Sequence, residues 1–199
     1  MRLLFFLLFI SSTCYAQTFQ EIAIRCDIES RKGLDYNNVQ DYFIESQKRL
    51  RECFIGLKFL NFKATATDGK TYSLEDFKGK IVLVNLWYLG CAPCRAEIPM
   101  FNELSQEYSK DFAILSFCLD DAQSILKFSE KIPLNFHVFP NSNDLIEATF
   151  KMRPSYPTNI FLDKNGKIVE FKTGGVLDEM GLTETKQEIK KLIDKELKK

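Results

Sequence analysis

Two cysteines stand three positions apart in Cys91-Ala-Pro-Cys94, directly after the apolar run Ile81–Trp87 and directly before Arg95–Leu104, which reads as a helix. Two thiols at this spacing, where a strand hands over to a helix, suit thiol–disulfide exchange. Cys91 is expected to be the exposed thiol and the nucleophile. The unpaired amides of the first helical turn and the helix dipole would both favour its thiolate. Cys94, one turn further on, is expected to lie beneath it and to attack the mixed disulfide that Cys91 forms with a partner. Pro93 restricts the backbone where a helix start needs no amide hydrogen. The plain alternative is a small structural disulfide or a pair of buried thiols, which a position between a core strand and a helix disfavours.

Further candidates surround the pair. Glu97 follows Cys94 by three residues and has two readings: a proton acceptor for Cys94, or a solvent-facing carboxylate that suits the helix dipole. Pro157, in Ser155-Tyr-Pro-Thr158, precedes the apolar strand Asn159–Leu162. A cis proline there would expose the backbone of Tyr156 for strand-like pairing with an incoming chain. Its alternative is an ordinary strand-entry proline, with Pro154 as the competing turn residue. Asn85 lies six residues before Cys91 and cannot accept a proton as a carboxylate would. Arg95 reads as a solvated side chain rather than a catalytic one, although its charge would favour a nearby thiolate. Trp87 and Tyr88 read as packing and docking aromatics, with simple core packing the alternative for Trp87. His137 is the only histidine. With no second Cys-x-x-Cys, a zinc site lacks ligands, so no metal or cofactor is expected. Transient Cu(I) at the reduced pair stands as a rival use.

The surrounding elements follow from periodicity. Ile81–Trp87 and Phe112–Cys118 read as buried strands, and Phe136–Phe139 and Asn159–Leu162 as shorter ones. Asp163-Lys-Asn-Gly166 is a tight turn leading to the hairpin mate Ile168–Thr173, which Gly174-Gly175 ends. Phe59–Ala66 and Thr71–Ser73 suggest a second hairpin about Asp68-Gly69, and Ser73 with Asp76 can cap a brief helix over Leu74–Phe77. The helix after the cysteines is expected to reach about Tyr108, with Pro99 inviting a kink. Helices are also expected near Ala122–Lys131, Asp144–Phe150 and Thr183–Leu197, the last with Ile189, Leu192, Ile193 and Leu197 inward. This order predicts an α/β architecture with a central mixed sheet flanked by helices.

The chain has 199 residues, 45% of them apolar, enough for one good core with a small appendage. Lysine plus arginine and aspartate plus glutamate both total 27, which gives no support to a nucleic-acid role. Arg2, the apolar run Leu3–Ile10 and the small residues Cys14 and Ala16 read as an export signal over residues 1–16. A hydrophobic anchor and lipidation at Cys14 are the alternatives. Residues 17–56 form an N-terminal extension, helical over Asp35–Phe54, and the globular domain occupies 57–199. Cleavage after Ala16 leaves five cysteines, so at least one is unpaired. Cys26 and Cys53 flank a polar stretch that they could staple, while Cys118 reads as a small buried hydrophobe.

The motifs Asp68-Gly-Lys70, Phe77-Lys-Gly-Lys80, Val82–Trp87, Cys91-Ala-Pro-Cys-Arg-Ala-Glu-Ile-Pro99, Tyr156-Pro-Thr158 and Phe161–Ile168 come in one order at one spacing. In these the chain resembles the thioredoxin superfamily, most closely the exported TlpA/ResA-like thiol–disulfide oxidoreductases. The resemblance covers about residues 57–197. It implies a thioredoxin-like fold, a nucleophile at Cys91, a resolving cysteine at Cys94, a cis proline at Pro157 and a functional glutamate, for which Glu97 is the candidate. Asn85 stands where cytosolic thioredoxins carry an aspartate. Gly90 departs from the pattern, in which a tryptophan precedes the first cysteine, and so removes an aromatic docking surface. The resemblance implies protein thiols and disulfides as partners, a membrane-bound electron donor, a periplasmic or other extracytoplasmic location and work in cytochrome c maturation or thiol repair. A disulfide oxidase and a thiol peroxidase are the rival activities.

Overall fold

The computed structural model describes residues 18–152 and 155–199. The expected export signal and Pro154 lie outside the described residues.

Two helices come first. Thr18 caps α1 (Phe19–Arg31) through a reciprocal pair with Glu21, and Asn38 caps α2 (Val39–Phe54). Only α2 was legible as a helix. A disulfide between Cys26 and Cys53 ties the two together. The staple that the sequence left open is therefore present. The hairpin packs on the domain: Phe54 stacks on Phe171 at 4.8 Å, and the Arg51 guanidinium holds the Glu170 carboxylate.

A small antiparallel pair follows, β1 (Lys63–Thr65) with β2 (Thr71–Ser73). The strand expected over Phe59–Ala66 shortens to these three residues because Thr71–Ser73 offers only three partners. Ser73 and Asp76 cap the 3-10 turn Leu74–Phe77 as expected.

The main sheet contains β3 (Ile81–Trp87), β4 (Phe112–Cys118), β5 (His137–Phe139), β6 (Thr158–Leu162) and β7 (Ile168–Thr173) in the order β5-β4-β3-β6-β7. The strands β3, β4 and β5 run parallel, and β6 and β7 run antiparallel to their neighbours, which makes the sheet mixed. Both central strands are buried along their whole length, which explains why they read as apolar runs broken only at Asn85 and Ser116. Side chains alternate between the faces. Val82, Val84 and Leu86 join a core with Phe62, Phe117, Phe139 and Phe150. On the other face, Ile81 and Leu83 join a core with Phe101, Leu104, Ile189 and Ile193, from α3 (Ala92–Glu107) and α5 (Glu179–Leu197). The short α4 (Ala122–Ser129) supplies Ile125 to a third cluster around Cys91 and Cys94.

The terminal helix starts four residues earlier than periodicity suggested, because the Asp178 carboxylate accepts from the Gly181 amide at 2.8 Å and caps it there. The segment expected as a helix near Asp144–Phe150 is a π-helical turn over Leu145–Thr149. His137 packs between the rings of Tyr72 and Phe77, at 4.6 and 5.1 Å.

Candidate active site

The site is built where β3 ends and α3 begins. After Trp87 the chain turns through Tyr88-Leu-Gly90, held by a Leu89 amide that donates to Asp120 Oδ2 at 2.7 Å and a Cys91 amide that donates to the Tyr88 carbonyl at 3.1 Å. Cys91 then occupies the N-cap of α3, and its Sγ accepts from the Cys94 amide at 3.3 Å. The sulfur thus sits where the first helical turn presents unpaired amides, the arrangement that favours a thiolate in the reduced protein. Pro93 lies in that first turn. Cys91 and Cys94 are bonded to each other, with Cα atoms 5.3 Å apart.

One expectation changes here. Cys91 was to be the exposed sulfur, yet it is only 4% exposed and Cys94 2%. Both belong to a packed cluster with Trp87, Ile98 and Cys118, bordered by Leu89 and Tyr156. The cover is supplied by residues distant in sequence. The ring of Tyr156 meets that of Tyr88 edge-on at 5.4 Å. The main chain at Gly175 packs so closely that a Cβ there would lie 2.9 Å from Pro157 Cγ and 3.0 Å from Pro93 Cβ. In this oxidised state the disulfide therefore lies just under a surface made of Tyr88, Tyr156 and the loop after β7.

Tyr88 also alters the consequence of Gly90. A Cβ at Gly90 would come within 3.1 Å of the Tyr88 ring, so this ring occupies the space beside the glycine. With 38% of Tyr88 exposed, an aromatic surface borders Cys91 although Gly90 contributes none.

Pro157 stands beside the pair with a cis Tyr156–Pro157 bond. Its carbonyl accepts from the Gly174 amide at 2.8 Å, tying it to the end of β7.

Glu97 does not face solvent. It is 3% exposed, which removes the reading of a solvated helix-start carboxylate. Burial pushes its carboxyl up to about 7, against the hydrogen bond from Asn159 and the charge of Lys172, which both draw it down. Asn159 Nδ2 donates to Glu97 Oε1 at 3.1 Å and Oε2 at 3.2 Å. Three residues along α3 from Cys94, this carboxyl shares the cysteine's side of the helix. A cleft of about 450 Å³ reaches Glu97 and Asn159 from the surface, with Phe43, Gln47, Lys48 and Arg51 of α2 along one wall.

Sequence reasoning singled out Asn85 but missed Asn159. A signal was available: Asn85 interrupts an otherwise apolar buried strand, Asn159 opens another, and buried amides need partners. Asn85 Nδ2 indeed donates to Asn159 Oδ1 at 2.9 Å. Cys118 is the free cysteine among the described residues and is buried, as its apolar setting suggested. Burial pushes its thiol up to about 12.

Comparison with known proteins bears on this geometry. The AhpC/TSA family model matches residues 55–171. The thiol-disulfide oxidoreductase ResA of Bacillus cereus is 35% identical over 133 residues, covering 66% of this chain and 74% of the relative. The thioredoxin-like protein YneN of Bacillus subtilis is 31% identical over 138 residues, covering 67% and 75%. Among solved structures, a putative thiol:disulfide interchange protein DsbE from Chlorobium tepidum superposes with a TM-score of 0.61 at 24% identity, covering 70% of this chain and 97% of that one, which supports the thioredoxin-like fold. The exposed lipoprotein thioredoxin of Streptococcus pneumoniae gives 0.52 at 28% identity, covering 65% and 99%. The family match begins after the stapled hairpin, which ends at Phe54. The chain belongs to the AhpC/TSA family with its thioredoxin-like fold, and it is a thiol–disulfide oxidoreductase of the ResA type.

Proposed function

We propose that this oxidoreductase is exported and works as a reductase of protein disulfides. The observation that carries the reading is the Cys91–Cys94 bond at the N-terminus of α3, with Cys91 Sγ at the cap and Cys94 one turn inside. In the reduced enzyme, the Cys91 thiolate attacks one sulfur of a client disulfide. The client S–S bond breaks, a Cys91–client bond forms, and the released client sulfur leaves as a thiolate that takes up a proton. Cys94 then loses its proton to the Glu97 carboxylate and attacks Cys91 Sγ. The Cys91–client bond breaks, the Cys91–Cys94 bond forms, and two electrons have passed from enzyme to client.

In this reading Pro157 and the backbone of Tyr156 receive an extended client segment beside the pair. Residues 1–16 direct export and residues 57–199 form the redox domain. No helix among the described residues is long and apolar enough to cross a membrane. A membrane-bound thiol donor would return two electrons to the Cys91–Cys94 disulfide after each cycle, and cytochrome c maturation is one process such a reductase serves. The name of the pneumococcal neighbour, an exposed lipoprotein thioredoxin, supports an extracytoplasmic place.

The test is trapping. Reduced Cys94→Ser protein should accumulate mixed disulfides through Cys91 with disulfide-bonded proteins, and the Cys91→Ser protein should accumulate none. A redox titration of the chain without residues 1–16 sets the direction. A potential above about −180 mV would assign the oxidase role instead, and turnover of hydrogen peroxide would assign the peroxidase one.

A further inference from the structure

One row of polar side chains crosses the sheet beneath α3. Ser116 on β4, Asn85 on β3 and Asn159 on β6 are register partners on three adjacent strands. The Ser116 hydroxyl donates to Asn85 Oδ1 at 2.9 Å. Asn85 Nδ2 donates to Asn159 Oδ1 at 2.9 Å, and Asn159 Nδ2 donates to both oxygens of Glu97. All four residues are buried.

The row has a direction. A side-chain amide carries one accepting oxygen and one donating nitrogen, so a bond at one end decides what the other end offers. The ionised Glu97 carboxylate only accepts, so it takes the Asn159 nitrogen, and the Asn159 oxygen then takes the Asn85 nitrogen. The Ser116 hydroxyl, which can donate or accept, holds the row in that sense by donating to the Asn85 oxygen. A donor aimed at a buried carboxyl favours the charged form and fixes where its oxygens lie.

We propose that Asn159, oriented by Asn85 and Ser116, is a positioning residue for the resolving step: it fixes the Glu97 carboxylate on the Cys94 side of α3 and keeps it free to accept the proton. The inference rests on the reading of Glu97 as that acceptor. Other charges face the same cleft: Lys172 from β7, which pairs with Glu188 of α5, and Lys48 and Arg51 from α2, of which Arg51 pairs with Glu170. The variants below leave all of them in place.

The step can be isolated with a chromophoric disulfide, 5,5′-dithiobis(2-nitrobenzoate). Reduced protein releases one thionitrobenzoate as Cys91 forms the mixed disulfide and a second, in a phase independent of reagent concentration, as Cys94 closes the ring. In the wild type the second phase should quicken with pH through the titration of Glu97, and Glu97→Gln should abolish that titration. Asn159→Leu should move its midpoint upward by about one pH unit or more, the scale of one hydrogen bond to a charged group. Ser116→Ala, which removes a single oxygen, should move it the same way by less. Should Asn159→Leu fail to fold, Ser116→Ala decides alone. Midpoints unmoved in the folded variants, or rates lowered equally at every pH, overturn the inference while the Glu97 reading stands. An unchanged profile in Glu97→Gln overturns that reading itself.

Discussion

A Cβ on Gly175 would sit 2.9 Å from Cγ of Pro157. Real Cβ atoms do not approach so closely, so the loop after β7 reaches Pro157, and through it Pro93 and the cysteine pair, only because position 175 has no side chain. Gly175→Val is expected to push the loop off both prolines. Denaturant titration should show a loss of about 1–3 kcal/mol, the usual range for overpacking, and reduction of a protein disulfide such as insulin should slow more than oxidation of dithiothreitol.

Glu97 gives a stability that depends on pH. Its carboxyl is raised from 4.5 to about 7, so the folded state holds this proton more tightly than the unfolded state does. The contribution is fully present below 4.5 and is lost as pH rises through 7. Removing the ionisable group should therefore make Glu97→Gln more stable than wild type at pH 8, by up to about 3 kcal/mol, with little difference at pH 4. Urea unfolding of both proteins at the two pH values measures this. A wild-type advantage at pH 8 would contradict it.

Cys118 should be silent. Its sulfur is fully buried and its thiol is pushed up to about 12, so almost no thiolate forms near neutral pH. Oxidised protein lacking residues 1–16 is expected to show no fast-reacting thiol and to reveal one on unfolding. Cys118→Ala should keep full disulfide exchange, at a stability cost set by the small cavity it leaves.

The Cys26–Cys53 bond closes a separation of 27 residues. A loop of that size is stabilised by about 3–4 kcal/mol on chain-entropy grounds. Replacing both cysteines with serine should loosen the helical pair before the sheet. Hydrogen exchange would then quicken in α1 and α2 at a denaturant concentration that leaves β3 and β4 protected.

The elements that the sequence made legible are those whose burial is complete or whose turns are chemically explicit. Ile81–Trp87 and Phe112–Cys118 announce themselves as apolar runs because both faces are covered, and Asp163–Gly166 because only a turn suits it. The first helix escaped notice because it buries little, chiefly Ala23, Cys26 and Ser30, so it has almost no apolar stripe. The cysteine pair was plain from spacing, as was the bridge that it forms. The burial of Cys91 was not, since its cover comes from Tyr156 and Gly175, far along the chain. Asn159 escaped for a related reason: its partners lie on α3 and β3, and a strand residue carries no local sign of what faces it.

The segment leaving the helical pair has one more effect. Gly56 donates to the Ile168 carbonyl, Ile168 donates to the Leu57 carbonyl, and Phe59 donates to the Gly166 carbonyl, each at 2.8 Å, at the start of the outermost strand and in the turn before it. At the opposite margin, Thr67 donates to Val138 of β5, also at 2.8 Å. Both rims of the sheet thus have main-chain groups already engaged by the chain's own linkers. Open rims invite edge-to-edge growth into aggregates, and here the chain's own linkers already occupy main-chain positions on both margins.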